Sequence, residues 1–503
     1  MRSFSPLDFG VVIAYLLGCL LLGGFFARQQ RDTRDFLLAG RQMSWLPIAL
    51  SIVAADLSAI SFMGVPAYVL KYNLMLLPGL ATLPLVVPIV IRLFANTYYR
   101  LELFTAYEFL ERRFSYGLRA AASLLFILLR LCWLAAALYA TAVAVSQITG
   151  LRRPLAILIL GGSTCLYTAL GGMRAVLWTD VAQFLVFTTA IFAMFGTIVR
   201  AFQGDIGAIW AIAEAGGRTA VVDLSVSLRE VTLWNVLIGY FFINLASYGV
   251  DQVILQQYLT AKDLEQSRRS LWANAVVGVF IMIPLFLLGL GFYAFYTKQG
   301  LAIEPDRVIP HFALTQLPEG LSGLVIAGIL AATMSSISSG ITAITTATIV
   351  DFYQRALRPQ ASMPHYVKMA RLMAILWGAG ATLLALFVGR LGTIVEISLK
   401  TNSFFTGVLL GIFLLGILVP SANRRGAICG ASVGMATVTV VGGSTSLSFL
   451  WYSPIGCFAT VLVGWGASLL WRGRVEERAW VSTLLLRSRS DSKGELATGS
   501  HLE

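Results

Sequence analysis

The chain has 503 residues, 57% of them hydrophobic and only 12% charged, and its formal net charge is +12. A soluble globular protein carries about 25% charged residues, so this composition excludes a water-soluble domain and points to helices that cross a bilayer. Five scattered cysteines (Cys19, Cys132, Cys165, Cys429, Cys457) and three scattered histidines (His311, His365, His501) indicate neither a zinc site nor a disulfide framework, and no nucleophile–base pattern or phosphate loop suggests an enzyme.

In chain order, apolar runs long enough to span fall at roughly 7–27, 45–70, 74–95, 120–148, 154–171, 175–199, 232–255, 271–297, 321–350, 370–389, 392–419, 426–444 and 452–471. The expectation is an all-α integral membrane protein with about thirteen transmembrane helices. The first run is not read as a cleaved signal peptide, because Arg28, Arg31 and Arg34 follow it instead of preceding it. Connections after odd-numbered spans carry 18 Lys and Arg, among them Arg112, Arg268 and Arg371, against ten on the opposite side. The positive-inside rule then puts the N-terminus outside and the C-terminus in the cytoplasm. The basic balance follows from that rule together with a basic tail, so no nucleic-acid partner is expected.

Two spans contain breaks. "SIVAADLSAISFMGVPA" in the second carries Asp56, Ser58 and Ser61, then Gly64 and Pro66; "GYFFINLASYGVDQVILQQ" in the seventh carries Asn244, Ser247, Gly249 and Asp251. They lie five spans apart. An odd separation inverts one unit relative to the other, and paired interruptions of this kind mark an inverted-repeat transporter with its site at the midplane. The chain accordingly divides into 1–44 (an extra N-terminal helix and cytoplasmic loop), repeats 45–200 and 232–419, two accessory helices in 420–471, and a cytoplasmic, partly disordered tail at 472–503.

Charges within apolar spans cost at least a few kcal/mol and need a partner or a role. Asp56 lies beside the first break with no basic residue within a turn. Arg130 sits about 16 Å of helix from Arg119 and should face the interior, to hold a substrate carboxylate or an acid of another helix. Asp251 reads as a boundary residue near the cytoplasmic end of its span, Asp180 as a helix-end carboxylate or a functional one, and Glu396 and Lys400 as a mutually neutralising i,i+4 pair. In "AATMSSISSGITAITT" (331–346), Ser335, Ser338, Ser339, Thr342, Thr345 and Thr346 share one helix face. Spacing alone leaves two readings open: close helix packing, or oxygen ligands for a hard cation.

Three motifs carry a resemblance. "DFLLAGRQMSWLPIALSIVAADLSAISFMGVPAYVLKYNL" (35–74), "YTALGGMRAVLWTDVAQ" (167–183) and "YGVDQVILQQYLTAKD" (248–263) are similar to those of the sodium:solute symporter family, although Gln257 stands where that family commonly has arginine. The resemblance implies a five-plus-five inverted-repeat core of the leucine-transporter type, with Na⁺ moving inward alongside a small polar organic solute such as an amino acid or carboxylate. It implies a common sodium site at Ala54, Leu57, Ala332, Ser335 and Ser336, and a second at Asp180, Ser335, Ser338 and Ser339, for one or two coupling ions. The implied substrate positions are Asp56, Ser58, Ser61, Leu80, Arg130, Trp133, Asn244, Ser247, Lys400, Asn402 and Phe404.

Two departures argue against particular solutes: the 74–95 span is apolar where the family's sugar carriers are polar, and Trp133 stands where sialic acid carriers place an arginine, with Arg130 a turn earlier. The reading is a monomeric, multi-pass protein of a bacterial plasma membrane whose partners are Na⁺, the solute and the bilayer. Alternatives are sodium-coupled sugar or sialic acid uptake, a passive channel, and a transporter-like sensor acting through a separate signalling partner.

Overall fold

The computed structural model describes residues 4–27, 30, 32–388 and 393–471, with the backbone alone at 59, 388 and 393–404. Among the described residues there is no β-strand, only one isolated bridge between Met43 and Ala261. Nine helices among the described residues are long and apolar enough to cross a bilayer, and eleven spans result if each of two bent pairs counts as one. The expected count of thirteen exceeds this by two: of the span anticipated at 392–419 only the shorter helix Phe405–Leu418 is counted, and the spans anticipated at 154–171 and 175–199 are assigned as one run, Arg153–Ala201, of 49 residues. At 1.5 Å per residue that helix would extend about 73 Å, more than twice a hydrocarbon core of ~30 Å. It turns at Gly172 (φ 58°, ψ −159°). A Cβ there would lie 2.8 Å from the Phe36 carbonyl oxygen, so both the dihedral and the close approach require glycine.

The two spans read as broken are bent pairs. Trp45–Asp56 with the helix that follows it to Lys71, and Leu233–Gly249 with Gln252–Tyr258, each turn through 57°. Counting the two arms of Arg153–Ala201 on either side of Gly172 separately, the bent pairs stand five membrane passes apart, the odd separation that an inverted repeat requires. Local chemistry sets the second turn: Asp251 caps the following helix by accepting from the Val253 N–H at 2.9 Å. The carbonyl of Gly249, left free by the turn, accepts from the Tyr98 hydroxyl at 2.8 Å.

The helix Leu321–Ala347, which carries the hydroxyl run, forms the centre. It packs along Arg153–Ala201 and Tyr116–Thr149, and 94% of its most apolar stretch is buried, against 11% for the N-terminal helix Pro6–Ala27. That peripheral helix is fastened through Asp8, whose Oδ1 accepts from the Gly320 and Gly323 N–H groups at 2.8 and 2.9 Å, where the positive end of the central helix favours a carboxylate. At the other end the central helix continues as π-helix over Thr348–Leu357. There the buried Asp351 is held by Arg119 (2.6 Å), Ser123 (2.7 Å) and Thr105 (2.7 Å), and Arg119 and Arg355 both reach Glu111. Both oxygens of that buried charge meet donors, Oδ1 those of Thr105 and Arg119 and Oδ2 that of Ser123, as burial demands.

Candidate functional site

The site begins with the first break. In an unbroken helix the Ala54 carbonyl would accept from the N–H of Ser58. Here Ser58 N–H turns to the Asp56 carbonyl at 3.1 Å, which frees the carbonyls just before the break. The central helix meets them: Ser335 Oγ donates to Ala54 O at 2.7 Å and Ser336 Oγ to Ala55 O at 2.8 Å, and both hydroxyls also lie 3.2–3.3 Å from Ala332 O. Ala54, Ala332, Ser335 and Ser336 thus converge as the sequence led one to expect. Leu57 is buried beside them, with its N–H on Val53 O. Carbonyl and hydroxyl oxygens gathered at a helix break form a donor set suited to a small hard cation.

One turn further along the central helix lies the second cluster. Asp180 is completely buried on the helix Arg153–Ala201, so its alternative reading as a water-touching helix end does not hold. Ser338 Oγ reaches its Oδ1 at 3.5 Å, and Ser339 Oγ its Oδ2 at 3.3 Å. A third hydroxyl, Ser51, donates to Oδ2 at 2.6 Å from the first broken pair. No Lys or Arg among the described residues pairs with Asp180. A buried carboxylate met only by neutral hydroxyls lacks a cation of its own and is a ready ligand for one. Ser51 escaped the sequence reading because a serine within a small-residue helix gives no local sign of what it faces. Gln257, which the sequence marked only as standing where the family commonly has arginine, joins the cluster too: its Nε2 donates to Ser339 Oγ at 2.9 Å.

Three further hydroxyls of the run bond within and between helices. Thr342 donates to Ser338 O and Thr346 to Thr342 O, both at 2.8 Å, and Thr333 meets Thr141 across the helix interface at 2.7 Å. All are buried.

Around the breaks lies the expected substrate region. Asp56 ends the first helix half and is exposed; its Oδ2 accepts from the Tyr248 hydroxyl at 3.3 Å, and the charges acting on it come from Asp251 and Arg130. Arg130 forms an ion pair with Asp251 and lies over Trp133, 5.3 Å from the ring centroid, and Phe126, 5.7 Å. The reading of Asp251 as a boundary residue is therefore corrected: it stands at the second break, as helix cap and as partner to an interior arginine. Arg130, Asp251, Phe126, Val250, Phe405 and Thr406 line a common crevice. Asn244 donates to Thr82 Oγ1 at 2.9 Å, tying the second broken pair to the segment 77–100. Ser58 is buried in the first break, and Ser61 and Ser247 are half-buried. Leu80 packs with a side cluster that includes Val69, Leu74 and Phe286. The side chains of Glu396, Lys400, Asn402 and Phe404 lie outside the described residues.

Comparison with known proteins agrees with this geometry. The model of the sodium:solute symporter family matches residues 36–434. A sodium/sialic acid symporter of Aliivibrio fischeri is 29% identical over 92% of this chain and 93% of its own. A sodium-coupled monocarboxylate transporter 2 of Danio rerio is 32% identical over 84% of this chain and 69% of its own. Among solved structures, a substrate-bound, outward-open Na⁺-coupled sialic acid symporter superposes with TM-score 0.89 at 27% identity, over 93% of this chain and 98% of that one. A nucleobase-cation-symport-1 transporter shares the fold at TM-score 0.57 and 13% identity.

Proposed function

Because the chain belongs to the sodium:solute symporter family, we propose that two sodium ions, one at each oxygen cluster, drive uptake of a small solute that bears both a carboxylate and an amine. The observation that carries this reading is Asp180, wholly buried among Ser51, Ser338 and Ser339 with no basic partner among the described residues. The common ion is assigned to the oxygens of Ala54, Leu57, Ala332, Ser335 and Ser336, and the second to Asp180, Ser335, Ser338 and Ser339, joined by Ser51.

Charge around the breaks supports the solute class. Arg130, Asp251 and Asp56 together leave one negative charge beside the crevice. The common cluster offers only neutral oxygens, so its Na⁺ compensates that charge across the break. A solute with no net charge then fits, its carboxylate taken by Arg130 and its ammonium by Asp56. A second reading follows from the two sialic acid carriers that this chain resembles in sequence and structure: Arg130 takes the carboxylate of a sugar acid, and Asp56 binds hydroxyls.

Residues 45–200 and 232–419 act as the inverted repeats and 1–44 and 420–471 as peripheral additions, in a monomer of a bacterial plasma membrane with its N-terminus outside. Transport proceeds by rocking one helix bundle about the midplane site. A thermal-stability screen of the purified chain in NaCl and in KCl, against amino acids, betaines, monocarboxylates and sialic acid, tests both parts, because a ligand selective for the native state raises stability by mass action. Stabilisation by a zwitterion in NaCl only supports the first reading, and by sialic acid only, the second. Equal responses in both salts would sink sodium coupling.

A further inference from the structure

We infer that Gln257 is a positioning residue through which the second broken pair senses the ion held at Asp180. This rests on the second cation position proposed above. Gln257 lies on Gln252–Tyr258, the latter half of the second broken pair, and is completely buried. Its Nε2 donates to Ser339 Oγ at 2.9 Å, while its Oε1 is buried with no hydrogen-bond partner. A buried polar atom without a partner costs about 1–3 kcal/mol and asks for an explanation.

The hydroxyl of Ser339 supplies one. Ser339 Oγ now directs its single proton toward Asp180 Oδ2 at 3.3 Å and accepts from Gln257. When Na⁺ takes the carboxylate and a lone pair of Ser339, that proton must leave the direction of the ion. The Gln257 carboxamide has oxygen and nitrogen on nearly isosteric arms, so a half-turn presents Oε1 to the released proton, and Nε2 takes the place that Oε1 leaves. The link between Gln252–Tyr258 and the central helix is then donated by a hydroxyl that Na⁺ polarises, and so is the stronger bond, beside the parallel bond from Gln256 Nε2 to Thr346 Oγ1 at 2.7 Å. Loss of the ion weakens the link and frees this half of the broken span to move.

The test is Na⁺ titration of the purified full chain, read as melting temperature in NaCl against KCl at constant ionic strength. Gln257→Leu removes both arms and is expected to raise the half-saturating Na⁺ concentration about tenfold, the scale of one buried hydrogen bond. Ser339→Ala should do the same, and the double variant should be no worse than the poorer single, as expected for one shared interaction. Gln257→Glu, which keeps an acceptor, should titrate at or below the wild-type concentration. A wild-type titration in Gln257→Leu alongside a shifted one in Asp180→Asn, or additive losses in the double variant, would overturn the inference. A wild-type titration in Asp180→Asn would instead remove the second ion position itself.

Discussion

Replacing Asp180 by Asn changes one oxygen to nitrogen in a position that solvent does not reach. Ser51, Ser338 and Ser339 can still bond the side chain, so the fold should survive. What disappears is the charge. Removing one member of a buried charge pair costs about 3–5 kcal/mol, and each ~1.4 kcal/mol is a factor of ten, so Na⁺ affinity at this position should fall at least a hundredfold. Without Na⁺ the sign reverses, because the variant no longer buries a carboxylate that lacks a basic partner. The assay is the melting temperature in KCl and across a NaCl series. An ion present at about a hundred times its Kd contributes about 2.7 kcal/mol, so losing hundredfold affinity erases most of that increment. The variant should therefore melt higher than wild type in KCl and gain less from NaCl. A variant that melts lower in KCl and keeps the full NaCl increment would show that Asp180 is a structural carboxylate, and the reasoning would fail.

Ser335→Ala removes a hydroxyl assigned to both ion positions together with its bond to Ala54 O; the half-saturating Na⁺ concentration should rise about tenfold, by the same titration. Arg130→Gln should abolish solute-dependent stabilisation while leaving the Na⁺ response of the solute-free protein intact, and loss of both together would place Arg130 outside the solute site. Tyr248→Phe removes the hydroxyl bonded to Asp56, and binding of an amine-bearing solute, followed by isothermal titration, should change by several-fold while a solute without an amine is unaffected. Outside the membrane, Glu111 meets Arg355 and Arg119, which outweigh the effect of burial and hold its carboxyl below the usual range. A depressed pKa contributes stability above the ordinary carboxylate pKa that is lost as pH falls through the folded-state value. Glu111→Gln should therefore lower the melting temperature at neutral pH, and the gap from wild type should close on acidification.

The breaks, the hydroxyl run and Asp180 could be read from sequence because each violates what lipid permits. A polar or interrupted backbone within an apolar span is costly enough to announce itself. Ser51 violates nothing, and Gln257 in "ILQQYL" reads as an ordinary polar residue near a span's end; only the packing of Gln252–Tyr258 against the central helix reveals what it touches. The Arg130–Asp251 pair joins residues 121 positions apart, so sequence could name the arginine and not its partner. The turn at Gly172 that separates the two arms of Arg153–Ala201 rests on a single glycine dihedral, which periodicity does not encode.

The central claim is that two sodium ions move with each solute. Its most direct measurement is the steady-state accumulation ratio in proteoliposomes, with the solute identified by the stability screen, as the inward Na⁺ gradient is varied at zero membrane potential. Coupling to two ions predicts accumulation that follows the square of the Na⁺ gradient in the wild type and its first power in Asp180→Asn. Accumulation that follows the first power in the wild type, or that persists with no Na⁺ gradient, would contradict the account.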